Sequence, residues 1–256
     1  KTGTLTKGEM NVRAIVADGK AYVVRGEGFD PSGQVLLDGA PVDLASHEGL
    51  RQTLVCGVLC NDALLKQEGN RWTVDGDATE GALTVAAIRA GLDPAALRSE
   101  FARVAEIAFT SERKKMSSLH ARVPETDLAG ILALPAASRA ERLAGMGPKW
   151  LFVKGAPERI LAVCTTHLVD GEVKPLTDFD RKQYLYRNQE MATRALRVLG
   201  MAVREFPADL PPLQEETLER ALRTKEQLDS LRERVCRTLG PPWEAGIDDD
   251  EVPSRR

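Results

Sequence analysis

Apolar residues along this chain follow two rhythms. Short β-branched-rich runs at residues 10–18 and 21–26 are joined by Asp18-Gly19, a dipeptide that accepts the positive φ angles of a tight turn, and they predict a two-stranded hairpin. Residues 65–74 predict a second hairpin turning at Gly69-Asn70, and residues 166–173 a third around Asp170-Gly171. Residues 104–109 and 116–123 form a further pair, separated by the charged run Thr110-Ser111-Glu112-Arg113-Lys114-Lys115. Trp150-Leu151-Phe152-Val153-Lys154 predicts one more strand, and residues 196–204 predict a buried strand with Arg197 near its beginning. The helical rhythm appears in Leu50, Leu54, Val55, Val58 and Leu59 within residues 44–61. It predicts further helices from the 76–83 segment to Arg89, over residues 158–164, and from Thr177 to about Ala195, with Asp180 at the capping-box position. Hairpins interleaved with helices give an α+β fold.

Composition narrows the picture. At 256 residues with 43% hydrophobic content, the chain can bury a substantial core. A net charge of −3 with both signs interspersed offers no broad basic surface, so nucleic acid is not an expected partner. No apolar run approaches the roughly 20 residues that cross a bilayer, and no signal-peptide pattern opens the chain; a soluble monomer without membrane contact is expected. Cys56 and Cys60 lie four apart in an apolar run with no His or further Cys at zinc-site spacing, which favours buried thiols over a metal pair.

Candidate chemistry centres on residues 150–158. A strand ending in Lys154 holds an ammonium at a fixed edge, Gly155 admits close approach to the backbone, and Pro157 suits a first helical turn. Lys154 and the helix start together would suit a phosphate chain; an ordinary strand-to-helix turn with a solvated lysine gives the same pattern. Glu80 falls in the first turn of its helix, where a carboxylate either caps and complements the helix dipole or faces a ligand. Phe109 and Met116 flank the charged bend around Lys114, so an apolar platform would stand beside cations; the same phenylalanine could serve the core. Arg197 in a buried strand needs a partner, either a carboxylate of the domain or an anionic ligand.

Four separated segments share one order: Lys-Thr-Gly-Thr-Leu-Thr at residues 1–6, Gly-Asp-Ala-Thr-Glu-Gly-Ala-Leu at 76–83, Phe-Thr-Ser-Glu-Arg-Lys-Lys-Met at 109–116, and Lys-Gly-Ala-Pro-Glu at 154–158. Together they resemble the nucleotide-binding (N) domain of P-type cation-transporting ATPases, over roughly residues 1–205. The turn-rich residues 25–33 resemble the calcium-pump branch. The resemblance implies a twisted antiparallel sheet of about six or seven strands flanked by helices. It implies ATP as ligand, with Mg2+ in the intact pump, and a role in positioning the γ-phosphate for transfer to an aspartate on the phosphorylation domain. By the same resemblance Glu80 accepts from the adenine amino group and Phe109 stacks on the base. Lys114 supplies positive charge near Met116, Lys154, Gly155 and Ala156 line the site, and Arg197 lies near the phosphates. Ser111 stands where some calcium pumps carry an arginine.

The family motif places its aspartate nucleophile immediately before the Lys-Thr-Gly-Thr-Leu-Thr run. The chain is therefore expected to be a cytoplasmic piece of an integral membrane pump, with no catalytic residue of its own and no turnover of ATP alone. Its partners would be the phosphorylation and actuator domains. Residues 124–148 are expected to be an insertion, and 206–256 a helical, partly disordered extension. The other reading is a degenerate N domain that serves as a regulatory or interaction module without significant nucleotide affinity.

Overall fold

A computed structural model of the chain describes residues 10–123 and 149–206. The opening run, residues 124–148, where an insertion is expected, and the expected extension beyond residue 206 lie outside the described residues. Strands β1 (Ala14–Ala17), β2 (Lys20–Arg25), β3 (Gln34–Leu37) and β4 (Ala40–Pro41) form an antiparallel sheet in chain order. Its first turn is made by Asp18 at φ 56° and Gly19 at φ 74°, and its third by Asp38 and Gly39 at φ 50° and 85°. After a short 3₁₀ turn, helix α1 (Glu48–Leu59) leads to the hairpin β5 (Leu64–Glu68) and β6 (Arg71–Asp75), then to α2 (Ala78–Arg89) and α3 (Pro94–Glu100). The remaining elements are β7 (Phe101–Ile107), β8 (Lys115–Arg122), β9 (Lys149–Gly155), α4 (Pro157–Leu161), the hairpin β10 (Thr166–Val169) and β11 (Glu172–Pro175), α5 (Asp178–Thr193) and β12 (Gly200–Phe206). The second four-stranded sheet runs β12-β9-β8-β7, antiparallel throughout.

Helix α1 organises the core because its apolar positions wrap around it. Leu50, Leu54 and Val58 pack with Ile15, Tyr22, Val24 and Val35 of the first sheet. Val55, Cys56, Leu59 and Cys60 pack with Met116 and Phe152 of the second. A helix that buries both sides needs a sheet on each, as a helix apolar all round requires. Cys56 Sγ donates to Val153 O at 3.5 Å and Cys60 Sγ to Met116 O at 3.6 Å, so both thiols are buried against the second sheet. Helix α2 covers the other side of this core with Ala86 and Ala87, and holds the β5–β6 hairpin through Ala82 and Val85 against Leu65, Trp72 and Val74.

The α+β class holds, and the structure departs from the sequence reading in its sheets, its last strand and its added elements. Among the described residues the strands divide into two four-stranded sheets and two hairpins, where one sheet of six or seven strands is expected; α1 lies between the two larger sheets and separates their strands. The last strand starts at Gly200, later than Leu196, and it is an edge strand with Val203 43% exposed, so Arg197 precedes it and is exposed rather than buried. Ala195 at φ 57° ends α5 in a left-handed turn, which delays the return to extended backbone. Helix α3, capped by Asp93 on the Ala95 and Ala96 amides, is a further element beyond those expected.

Candidate functional site

Antiparallel pairing brings three of the candidate segments to one end of the second sheet. Lys154 lies between Met116 of β8 and Met201 of β12, and the next position aligns Lys115, Gly155 and Gly200. The turn between β7 and β8, residues 108–114, closes the same end of the sheet, because Ile107 pairs with Ser117. Since Met116 and Cys60 meet on the α1 side, the Lys154 row faces the first turns of α2 rather than the α4 side.

Helix α2 delivers Glu80 to that row. Asp77 caps the helix, its Oδ1 accepting from the Thr79 amide at 2.8 Å and the Glu80 amide at 3.2 Å. Against burial, which raises it, the Thr79 and Glu80 hydrogen bonds and the nearby Arg197 guanidinium hold the Asp77 carboxyl below its ordinary value. Asp77-x-x-Glu80 has the spacing of a capping box, yet the glutamate does not close it. Glu80 Oε2 instead accepts from the Asp62 amide at 2.9 Å, and Oε1 accepts from Lys154 Nζ at 2.6 Å. Lys154 is only 6% exposed, so its ammonium engages a carboxylate and is not a solvated cation at a helix start. Arg197, by contrast, is exposed and donates from Nη1 to Thr79 Oγ1 at 3.2 Å, one residue before Glu80.

The 108–114 turn displays rather than buries its ring. Strand β7 ends at Ile107, leaving Phe109 in the turn and 61% exposed. Arg113 folds back to donate to Ala108 O at 3.0 Å and Ser117 Oγ at 3.2 Å, and the Lys114 amide donates to Thr110 O at 2.8 Å. Arg113 thus braces the turn, while Ser111 and Lys114 are exposed on it, Lys114 at φ 52°. Met116 is buried beneath, in contact with α1 residues, and belongs to the core.

Gly155 and Ala156 serve strand contact. A Cβ on Gly155 would come within 2.3 Å of Lys114 O and 2.6 Å of Lys115 Cα, so the close backbone approach that glycine permits here is made by β8. The Ala156 amide donates to Lys114 O at 2.8 Å, which ties the start of α4 to the 108–114 turn. The structure therefore gathers Glu80, Lys154 and Arg197 around the α2 N-terminus and leaves Phe109, Ser111 and Lys114 exposed at the same sheet end.

Sequence reasoning left out the residues that hold Glu80. Asn61 is 2% exposed and its Nδ2 donates to Gly57 O and Glu80 O, both at 2.8 Å, while its Oδ1 accepts from the Ala63 amide at 2.8 Å. The signal was present in Cys60-Asn61-Asp62, an Asn at the end of an apolar helix run, where a polar side chain needs buried partners.

These contacts define a mixed α+β domain of antiparallel sheets whose charged and aromatic candidates collect at one sheet end. The family model described as "P-type ATPase, cytoplasmic domain N" matches residues 49–236, and the chain belongs to that family. It is 34% identical over 213 residues to "Cation-transporting ATPase pma1" of Synechocystis sp., covering 79% of this chain and 20% of that protein. It is 36% identical over 204 residues to "Probable cation-transporting ATPase F" of Mycobacterium tuberculosis, covering 78% and 19% respectively. It is 34% identical over 203 residues to human "Calcium-transporting ATPase type 2C member 1", covering 79% and 19%. The chain thus spans about a fifth of the length of these relatives. Among the described residues no helix is long and apolar enough to cross a membrane.

Proposed function

We propose that this domain binds ATP at the end of the second sheet and positions its γ-phosphate for transfer to an aspartate carried by another domain of a P-type cation-transporting ATPase. The observation that carries the reading is the arrangement around Glu80. A carboxylate held on both oxygens by Asp62 N–H and Lys154 Nζ stands ready to accept a further bond from an exocyclic amine, as an ionised carboxylate has about four acceptor sites. An exposed phenylalanine offers a stacking face, and Arg197 and Lys114 are exposed cations for a phosphate chain. Adenine, with an amino donor and an aromatic face, joined to a polyanion, matches these three chemistries. Positioning is then the domain's contribution to catalysis: it fixes the nucleotide in a geometry from which the terminal phosphate meets its acceptor. With one open platform and partly solvated cations, the affinity is expected in the range of about 0.1 to several mM. An ATP titration followed by amide NMR tests this. Localised shifts at Phe109, Glu80, Lys154 and Arg197 support the proposal, and no shifts at several millimolar ATP would overturn it.

A further inference from the structure

Resting on that reading, we infer that Asn61, clamped from outside by Arg103, is a positioning residue that sets the Glu80 carboxylate and so gives the site its preference for a base with an amino donor over one with a carbonyl. Asn61 sits where α1 ends, and its side chain uses every bonding group it has. Nδ2 bonds Gly57 O of its own helix, Glu80 O and, at 3.3 Å, Thr84 Oγ1, while Oδ1 holds the Ala63 amide. One buried amide thereby fastens the C-terminal end of α1 to the first turn of α2. That fixes the Asp62 backbone, whose N–H donates to Glu80 Oε2 at 2.9 Å.

The outer face of the same corner is held by Arg103 of β7. Its Nη2 donates to Asn61 O at 2.7 Å and Leu59 O at 3.2 Å, and its Nη1 engages the carboxylates of Asp62 and Glu106. A planar guanidinium suits this fork of carbonyls at a helix end, where the last carbonyls lack partners. The corner residues 59–62 are thus held between the buried amide of Asn61 and the guanidinium of Arg103. Glu80 gains from this a fixed donor on Oε2 beside the Lys154 ammonium on Oε1, which holds the plane of the carboxylate and leaves an acceptor position on each oxygen. An adenine amino group donates to such a carboxylate. Hypoxanthine carries a carbonyl at the corresponding position, which meets the carboxylate with like polarity and donates nothing to it from that position. Loosening the corner lets the carboxylate turn, and the distinction fades while stacking on Phe109, which is indifferent to base identity, persists.

The full chain is titrated with ATP and with inosine triphosphate by amide NMR, wild type against Asn61→Ala and Arg103→Gln. Wild type is expected to prefer ATP by roughly fivefold or more, the worth of one hydrogen bond. Asn61→Ala is expected to bring that ratio to within about twofold of unity by weakening ATP alone, with inosine triphosphate affinity unchanged. Arg103, partly exposed, tolerates replacement, so Arg103→Gln carries the test should Asn61→Ala not fold; its ratio is expected to fall to between the wild-type value and unity. Equal weakening of both nucleotides, or an ATP preference retained in both folded variants, overturns the positioning role. A wild type that binds neither nucleotide, or binds both equally, instead overturns the reading of the site itself.

Discussion

Lys154 Nζ and Glu80 Oε1 lie 2.6 Å apart although 74 positions separate them in sequence, and the pair is largely buried. An ammonium so engaged acts on a ligand through the carboxylate it orients. Lys154→Ala is therefore expected to weaken ATP, ADP and AMP by similar factors, unlike the phosphate-dependent loss its place before a helix start implies. Arg197→Ala should hurt ATP more than AMP, by about 0.5–1.5 kcal/mol for a solvated charge-assisted contact, and this gap should narrow as ionic strength rises. Calorimetric titration of the three nucleotides checks both; a Lys154→Ala loss that grows with phosphate number would reverse the assignment.

Stability should fall on acidification through His120. The ring is 2% exposed, its Nδ1 donates to Phe101 O at 3.0 Å, and its Nε2 accepts from Ser118 Oγ at 3.0 Å. Burial, with the Arg103 charge adding to it, pushes its pKa down to about 4. Between about pH 6.5 and 4 the unfolded chain takes up a proton that the folded chain refuses, so stability is complete above the unfolded value and declines as pH falls toward the folded one. The full excursion is worth up to roughly 3 kcal/mol. Urea midpoints at pH 7.5 and 5 read about 2 kcal/mol of it, and His120→Asn should flatten the difference; an equally steep decline in that variant would exclude His120 as the source.

Gly155→Ala should destabilise by overpacking rather than backbone strain. The added methyl would meet Lys114 O and Lys115 Cα, which are backbone atoms held by the Ala156 to Lys114 hydrogen bond and cannot turn aside as a side chain can. The expected cost is about 1–3 kcal/mol. Chemical denaturation reads it directly, and an unchanged midpoint would mean that β8 and β9 separate more readily than their pairing implies.

Much of the fold was legible because local signals and tertiary structure agree. Asp18-Gly19 and Asp170-Gly171 each take positive φ at both residues and turn hairpins, and Thr177 with Asp180 forms the expected capping box. Asp38-Gly39 carries the same hairpin signal, and Asp93-Pro94 marks a helix start, so β3, β4 and α3 were within reach of the same reasoning. The family was legible too, since four short motifs stand in one order along the chain. Contacts between distant residues were not. Nothing near Lys154 announces Glu80 as its partner. Likewise Arg89 reads as a charge ending a helix, whereas it is buried and donates to the carbonyls of Glu27, Asp30 and Ser32, fixing the 26–33 connector. Such charges find partners only once the chain has folded, and periodicity records burial without recording what is met there.

The most direct test of nucleotide binding at this sheet end is the ATP affinity of Phe109→Ala measured by calorimetry. The ring is 61% exposed in the 108–114 turn, so removing it takes little from the fold, and stability should stay within about 0.5 kcal/mol of wild type. The site predicts a loss of about 1–3 kcal/mol in ATP binding, shared equally by ADP and AMP because stacking engages the base. An ATP affinity equal to wild type in the folded variant would contradict the account.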